Sequence, residues 1–230
     1  MKKKTGATAS SRAAKRQKPA AAAGKARRVS TTPADPAGGE AQAEIRRLKS
    51  QLAKASARIA ELQAAAETDF LLQIPNRRGF ERELSRAISY IQRYGASGAL
   101  IVLDVDRLKP INDTFGHAAG DEVLKAIVAV LSRQIRSSDV IGRLGGDEFA
   151  LLLWNLSETD AHAKAAALEA DIDRLSFAFA GSSVAAGVSA GITLLGAHSE
   201  TGRALADADR AMYVRKAQRR HEISQQSLKP

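Results

Sequence analysis

The stretch that decides the fold is DVIGRLGGDEFALLLW, residues 139–154. Apolar runs lie on both sides of Gly145-Gly146, which predicts a β-hairpin with the glycine pair at its turn. Two glycines suit a two-residue turn with positive φ, and their missing side chains let a ligand approach the backbone. Asp147 and Glu148 follow at once, so the hairpin carries two carboxylates beside the turn.

A second group of carboxylates follows the apolar run 99–103, which predicts a buried strand. A strand end and a hairpin turn can lie side by side on an antiparallel sheet, so Asp104 and Asp147 can converge. Converging carboxylates repel each other unless a hard cation neutralises them, and Mg²⁺ takes one or two such ligands plus phosphates. The residues predict a phosphoryl- or nucleotidyl-transfer site, with helix capping as the alternative. Asp106 we expect to turn away from Asp104 and to cap a helix.

The rest of the pattern alternates helices with strands. We predict helices over residues 77–94, 121–135, 159–175 and 203–220, and strands over 99–103, 139–144, 148–154 and 187–195. This order predicts an α/β sandwich with one central, mainly antiparallel sheet.

A narrow apolar stripe precedes Asp69. Its members step by three and four residues, as the a and d positions of a coiled coil do: Ile45, Leu48, Leu52, Ala55, Ile59, Leu62 and Ala66. We predict a coiled-coil dimerisation helix over residues 41–68, with a helix packed on its own domain as the alternative.

Charge is concentrated at the start of the chain. Residues 1–40 hold ten of the 35 Lys and Arg but two of the 25 Asp and Glu, so they carry +8 of the net +10. Their composition predicts a disordered basic tail, either simply solvated or weakly attracted to anionic surfaces, with no specific nucleic-acid partner. The absence of cysteine excludes disulfides and thiolate sites. Neither an apolar span nor a signal segment is recognisable, which predicts a cytoplasmic protein.

Five motifs together resemble the GGDEF family of diguanylate cyclases. They are Gly145–Phe149, which reproduces the family signature, and Asn76–Phe80, Asp104–Asp121, Ser189–Ile192 and Ala208–Tyr213. The resemblance implies a palm-like domain over residues 69–225, similar to nucleotidyl cyclases. It also implies that a homodimer condenses two GTP into cyclic di-GMP plus two pyrophosphates. A catalytically degenerate domain that acts as a cyclic di-GMP receptor is the alternative.

The resemblance implies a role for each matched position. Metal ligands for Mg²⁺ or Mn²⁺, two ions per active site, are expected at Asp104, the Val105 carbonyl, Asp147 and Glu148. Catalytic roles are expected for Asp147, Glu148 and Lys109, and guanine recognition for Asn112 and Asp121. The nucleotide is expected to lie close to Gly145 and Gly146, with its phosphates bound by Lys109, Lys216 and Arg220.

An inhibitory product site is also implied. Arg136 and Asp139 match the Arg-x-x-Asp motif that binds cyclic di-GMP in the family, and we group Arg143 with them. Two departures stand out. In residues 69–74, Leu72 and Gln73 replace the Thr and Gly of the family motif, and Arg219 replaces the Gly of a final Lys-x-x-Gly-Arg. Arg219 is expected either to crowd the phosphate end or to add a cation there.

Overall fold

The computed structural model describes residues 36–226. The chain divides into two units at Gln51 and Leu52. A single helix, α1 (Pro36–Glu67), provides all of the described first unit and the beginning of the second. The predicted disordered tail lies outside the described residues except for 36–40, which are helical, so α1 begins five residues before its predicted start.

The second unit contains the remaining helices and all the strands that the structure describes. In chain order they are α2 (Arg77–Tyr94), β1 (Gly98–Asp106), α3 (Leu108–Phe115), α4 (His117–Gln134), β2 (Val140–Arg143), β3 (Glu148–Trp154), α5 (Glu158–Asp173), β4 (Ser176–Phe179), β5 (Ser182–Ala185), β6 (Gly187–Leu195) and α6 (Thr201–Gln226). Strands β2-β3-β1-β6 form a four-stranded sheet, and β4 and β5 form a separate hairpin. Every strand pair is antiparallel, which confirms the predicted fold class.

Strand β1 lies inside the sheet and is buried on both faces. Leu100 and Val102 pack in one core cluster with residues of α2 and α6. Leu103 and Val105 face the opposite side and pack in a second cluster with residues of α3, α4 and α5. Helices therefore cover both faces, which explains the unbroken apolar run of this strand. Burial continues through Asp104 and Val105, and only Asp106, the last residue of the strand, is partly exposed.

Asn76 joins the end of α1 to the beginning of α2. Its side-chain oxygen accepts from Gly79 N at 3.1 Å, as an N-cap residue does. Its amide nitrogen donates to Ala66 O at 2.9 Å. The Asn76 side chain therefore links the last turn of α1 to the first turn of α2.

The large apolar residues of the α1 stripe are exposed. In the second unit, Leu52, Ile59 and Leu62 have exposed fractions of 53–68%. The alternative prediction, that the helix buries this stripe on its own domain, is therefore wrong for these residues. No helix within residues 36–226 combines the length and the apolar content needed to cross a bilayer.

Candidate active site

The turn between β2 and β3 comprises residues 144–147. It is closed by Leu144 N, which donates to Glu148 O at 2.8 Å. The predicted two-residue turn with positive φ is wrong, because four residues separate the strands and neither Gly145 nor Gly146 has positive φ. A Cβ on Gly145 would lie 2.9 Å from a Glu148 carboxylate oxygen, so that side chain would have to move, whereas a Cβ on Gly146 would meet no other atom of the described residues.

A backbone hydrogen bond fastens this turn to the end of β1. Val105 N donates to the Asp147 carbonyl at 2.9 Å. Asp104 and Glu148 are register partners of the antiparallel pair β1–β3, so their side chains lie on the same face of the sheet. The structure therefore places Asp104 beside Glu148, and it fastens Asp147, the acid that we expected to converge with Asp104, to β1 through its backbone.

The Asp104 carboxylate is buried, with 8% of the residue exposed. Burial raises the pKa of this carboxyl above its ordinary value, and the negative charges of Asp147 and Asp106 raise it further, against the opposing effect of Lys216. The Lys216 ammonium donates to Asp104 Oδ1. A cation thus already neutralises part of the carboxylate charge at this position.

Asp106 lies on the same side of β1 as Asp104, contrary to our expectation. Alternation along a strand has a period of two, so residues i and i+2 share a face. Ser189 Oγ donates to the Asp106 carboxylate at 3.2 Å, and Arg219 Nε lies 3.4 Å from it. Asp106 caps no helix, because α3 begins after Arg107, which has no side-chain capping bond.

Glu148 faces a different set of partners. Arg77 Nη2 lies 3.8 Å from its carboxylate, and both residues line a cavity of about 260 Å³ together with Asp209. Burial raises the pKa of Glu148; Arg77 lowers it, and Asp209 raises it again. Among residues 36–226, no three acidic or histidine side chains converge closely enough to hold a metal. The predicted carboxylate ligands, Asp104, Asp147 and Glu148, therefore do not form a preassembled metal site.

Two carboxylates nevertheless suit a divalent cation. Mg²⁺ typically takes one or two protein carboxylates and completes its shell with water and substrate phosphates. Asp104 and Asp147 are close enough for the charge of one to raise the pKa of the other. The two carboxylates are of the ligand type that such an ion takes. Val105 directly follows Asp104, and its N–H donates to the Asp147 carbonyl.

Two adjoining cavities flank Asp147. A cavity of about 440 Å³ is lined by Asn112, Gly120, Asp121, Gly146 and Asp147, among others. The Asn112 side-chain oxygen is buried and has no hydrogen-bond partner within the described residues. An unsatisfied buried acceptor beside a carboxylate suits a ligand that offers a pair of N–H donors.

The second cavity, of about 540 Å³, is rich in cations. Lys109, Lys216, Arg219 and Arg220 line it together with Asp147. Lys109 and Asp147 line both cavities, so the two adjoin. Asn112 and Asp121, predicted to read a base, thus line one cavity, and Lys216 and Arg220, predicted to bind phosphates, line the other, with Lys109 and Asp147 at the junction. This arrangement fits a nucleoside polyphosphate.

Arg143 belongs to the turn. Its guanidinium donates to Gly145 O at 3.0 Å and to Gly146 O at 2.7 Å, and it pairs with Asp69 at 3.1 Å. The grouping of Arg143 with the product site does not fit these contacts. Sequence reasoning missed Asp69 as its partner, because the two residues are 74 positions apart and no local pattern links them.

Arg136 and Asp139 form a turn at the other end of β2. Asp139 accepts from Arg136 N at 2.9 Å and from Trp154 N at 3.1 Å. The Arg136 side chain is exposed. Both Asp139 oxygens are therefore engaged by backbone donors of the protein itself, while the guanidinium faces solvent.

Comparisons with known proteins agree with this geometry. Residues 66–222 match the family described as diguanylate cyclase, GGDEF domain. Diguanylate cyclase TpbB of Pseudomonas aeruginosa is 42% identical over 189 residues, which are 80% of this chain and 42% of TpbB. The chain thus spans less than half the length of that relative.

Solved structures are similar too. The coiled coil and GGDEF domain of DgcB from Caulobacter crescentus, in complex with c-di-GMP, aligns with a TM-score of 0.67 and 24% identity over 76% of this chain and 94% of that chain. A microbial GGDEF domain studied with cyclic di-GMP aligns with a TM-score of 0.59 and 36% identity over 66% of this chain and 94% of that chain.

Proposed function

Because the chain belongs to the GGDEF-domain family of diguanylate cyclases, we propose that it condenses two GTP into cyclic di-GMP and two pyrophosphates. One observation carries the proposal. The hydrogen bond from Val105 N to the Asp147 carbonyl fastens the acidic turn beside Asp104, where a polar cavity and a cationic cavity adjoin. This is the arrangement that nucleotidyl transfer needs.

Guanine would occupy the cavity of Asn112 and Asp121. A carboxylate can accept from both N1–H and N2–H of guanine, whereas adenine offers no such donor pair. The unpartnered Asn112 oxygen would accept a further hydrogen bond from the base. GTP should therefore be preferred over ATP.

The triphosphate would lie in the second cavity, bound by Lys109, Lys216 and Arg220. Asp104, Asp147 and the Val105 carbonyl would hold Mg²⁺ or Mn²⁺, two ions per active site, and Glu148 would join them as a further ligand after turning from Arg77. When bound, such ions neutralise phosphate charge and make the α-phosphorus more electrophilic.

Ring closure needs two chains. The 3′-hydroxyl of each GTP attacks the α-phosphorus of the other, the new ester bond forms, and the bond to the β-phosphate oxygen breaks, so that pyrophosphate leaves with the electron pair. An acid of the turn, Asp147 or Glu148, would accept the hydroxyl proton. A two-fold symmetric dimer places the two nucleotides in the required mutual orientation.

The α1 stripe would bring the chains together. Its exposed residues at 3-4 spacing, such as Leu52, Ile59 and Leu62, suit a coiled coil with a second copy. Removal of residues 1–66 should make the specific activity strongly concentration-dependent, since the domains would then meet only by diffusion. An unchanged specific activity on dilution would refute this role.

Arg136 and Asp139 would bind cyclic di-GMP and inhibit the enzyme. Arg136 is exposed, and a guanidinium can pair with phosphate and stack on guanine. We expect the synthesis of cyclic di-GMP to slow as product accumulates, and Arg136→Ala to abolish that slowing without changing the initial rate.

Product analysis tests the main proposal. The full chain is incubated with Mg²⁺ and GTP, and in parallel with GTP plus ATP, and the products are separated by chromatography. Cyclic di-GMP alone is expected from both mixtures. If the dimeric protein forms none but still binds cyclic di-GMP, the chain is a receptor and not a cyclase.

A further inference from the structure

Helix α6 carries two cation pairs that are offset by one residue. Arg215 and Arg219 form the first pair, and Lys216 and Arg220 form the second. Residues four apart lie on one face of a helix, and a one-residue offset turns the second face by about 100°. The two pairs therefore point in different directions from the same two turns.

The first pair is anchored by a buried carboxylate. Glu169 of α5, 6% exposed, accepts from Arg215 Nη2 at 2.9 Å and lies 3.5 Å from Arg219 Nη1. The same carboxylate accepts from Ala190 N of β6 at 2.9 Å. Glu169 thus connects α5, α6 and the edge of the sheet, and a buried charge held this way fixes the position of its partners.

Arg219 is the centre of this network. Its Nη2 donates to Asp173 at 2.6 Å and its Nε lies 3.4 Å from Asp106 at the end of β1. Only 13% of its side chain is exposed. The guanidinium therefore faces three carboxylates. Although Arg219 lines the cavity of about 540 Å³, these carboxylates compensate its charge, so it is not a cation that is free for phosphate.

We propose that Arg219, together with Arg215, is a positioning residue that fixes the rotation of α6 about its axis. This rotation presents Lys216 and Arg220 to the cavity of about 540 Å³ and keeps Lys216 on Asp104. The inference rests on the proposed function, because it takes that cavity to hold the phosphates of the nucleotide. Arg219 lines this cavity, but its guanidinium is held by three carboxylates, so it acts on phosphate binding through its neighbours.

The test compares a triphosphate with a monophosphate. The dissociation constants of a non-hydrolysable GTP analogue and of GMP are measured with the full chain and with Arg219→Ala. The analogue should bind roughly tenfold more weakly, as is usual when a group that orients a ligand-binding side chain is lost. GMP binding should change less than twofold, because the base cavity does not depend on α6. For turnover, KM for GTP should rise with kcat little changed.

Two further variants serve as rescue and control. Arg219→Lys keeps one cation among the three carboxylates and should recover part of the lost affinity. Arg210→Ala removes an exposed arginine of the same helix that pairs with Asp207, and it should leave both affinities unchanged. Should Arg219→Ala fail to fold, Asp173→Asn removes one of the three negative charges that face Arg219 and should weaken analogue binding by about threefold.

The outcomes separate the possibilities. Equal weakening of the analogue and GMP, or unchanged affinities in every folded variant, would overturn the positioning role. Tighter binding of the analogue by Arg219→Ala would mean that Arg219 crowds the cavity instead. Binding is measured without turnover, so failure of the wild type to make cyclic di-GMP would refute the proposed function and leave this test intact.

Discussion

Two aspartates near opposite ends of β2 differ in what holds them. Asp139, before the strand, uses both carboxylate oxygens to accept from backbone N–H groups of Arg136 and Trp154. Asp147, after the strand, is tied down only through its backbone carbonyl, and within residues 36–226 no hydrogen bond or ion pair engages its carboxylate. The difference teaches that the Asp139 carboxylate contributes to the stability of the fold whether or not it also binds a ligand, whereas the Asp147 carboxylate contributes little to it.

Removal of the free carboxylate should have the largest effect. Asp147→Ala is expected to reduce the rate of cyclic di-GMP synthesis by at least roughly 10³-fold, because a metal ligand and a candidate base disappear together. The free energy of unfolding should stay within about 0.5 kcal/mol of the wild-type value, since no hydrogen bond or ion pair of the described residues is lost with this carboxylate. Initial rates and denaturant unfolding measure the two quantities. A large loss of stability in Asp147→Ala would mean that Asp147, like Asp139, stabilises the fold.

The Arg143 contacts should give the next largest effect. Arg143→Ala removes the bonds to the Gly145 and Gly146 carbonyls and leaves Asp69 without its partner. We expect kcat to fall roughly tenfold, because the turn loses its support. Cyclic di-GMP affinity, measured by calorimetry, should not change.

The affinity for cyclic di-GMP distinguishes a role of Arg143 in the turn 144–147 from a role beside Arg136 and Asp139. A loss of product binding in Arg143→Ala, with normal turnover, would return Arg143 to the product site. Arg133→Ala, an exposed arginine on α4, is the control and should alter neither quantity.

Asp139→Ala should lower stability and leave the initial rate unchanged, the opposite of what we expect for Asp147→Ala. Two backbone N–H groups lose their acceptor, which should destabilise the protein by about 1–2 kcal/mol and lower its Tm by about 2–8 °C. The initial rate of synthesis should be unchanged, and inhibition by the product should weaken. Thermal unfolding and progress curves measure both effects, with the exposed neighbour Ser138→Ala as control. Normal stability together with normal inhibition would contradict both assignments.

The smallest effect is expected at Gln73, in the loop that carries Asp69. Gln73 has a φ of 55°, where a side chain is strained. The family motif that residues 69–74 resemble has glycine at this position. Gln73→Gly should raise the free energy of unfolding by about 0.5–1 kcal/mol and leave turnover unchanged. Altered turnover would mean that this loop influences the turn through Asp69 and Arg143.

Much of the fold was readable from the sequence because apolar runs dominate it. Helix α2 and strand β3 have the bounds that the pattern predicts, and the run 99–103 is the centre of β1. Helix α3 was missed because Pro110 and the polar residues that follow resemble a loop, although proline is tolerated in the first turn of a helix. The hairpin β4–β5 was missed because its strands have four residues each, and β5 offers only small residues and one valine.

The site was predictable in part. Motif resemblance named the residues of both cavities, and the structure brings them together. It could not reveal the partners of Arg143, Glu148 or Arg219, because those contacts join segments that are distant in sequence. Nor could it give the side of β1 on which Asp106 lies, where our own reading of the alternation was mistaken.

Glu169 has one more consequence, for unwanted association. A sheet edge with free N–H groups can recruit a strand from another molecule. At β6, one edge of the four-stranded sheet, the Glu169 carboxylate occupies Ala190 N. At β2, the other edge, Pro75 O accepts from Arg143 N at 2.8 Å. Each edge is blocked at one point by the chain's own atoms, which disfavours fibril-like growth through the sheet.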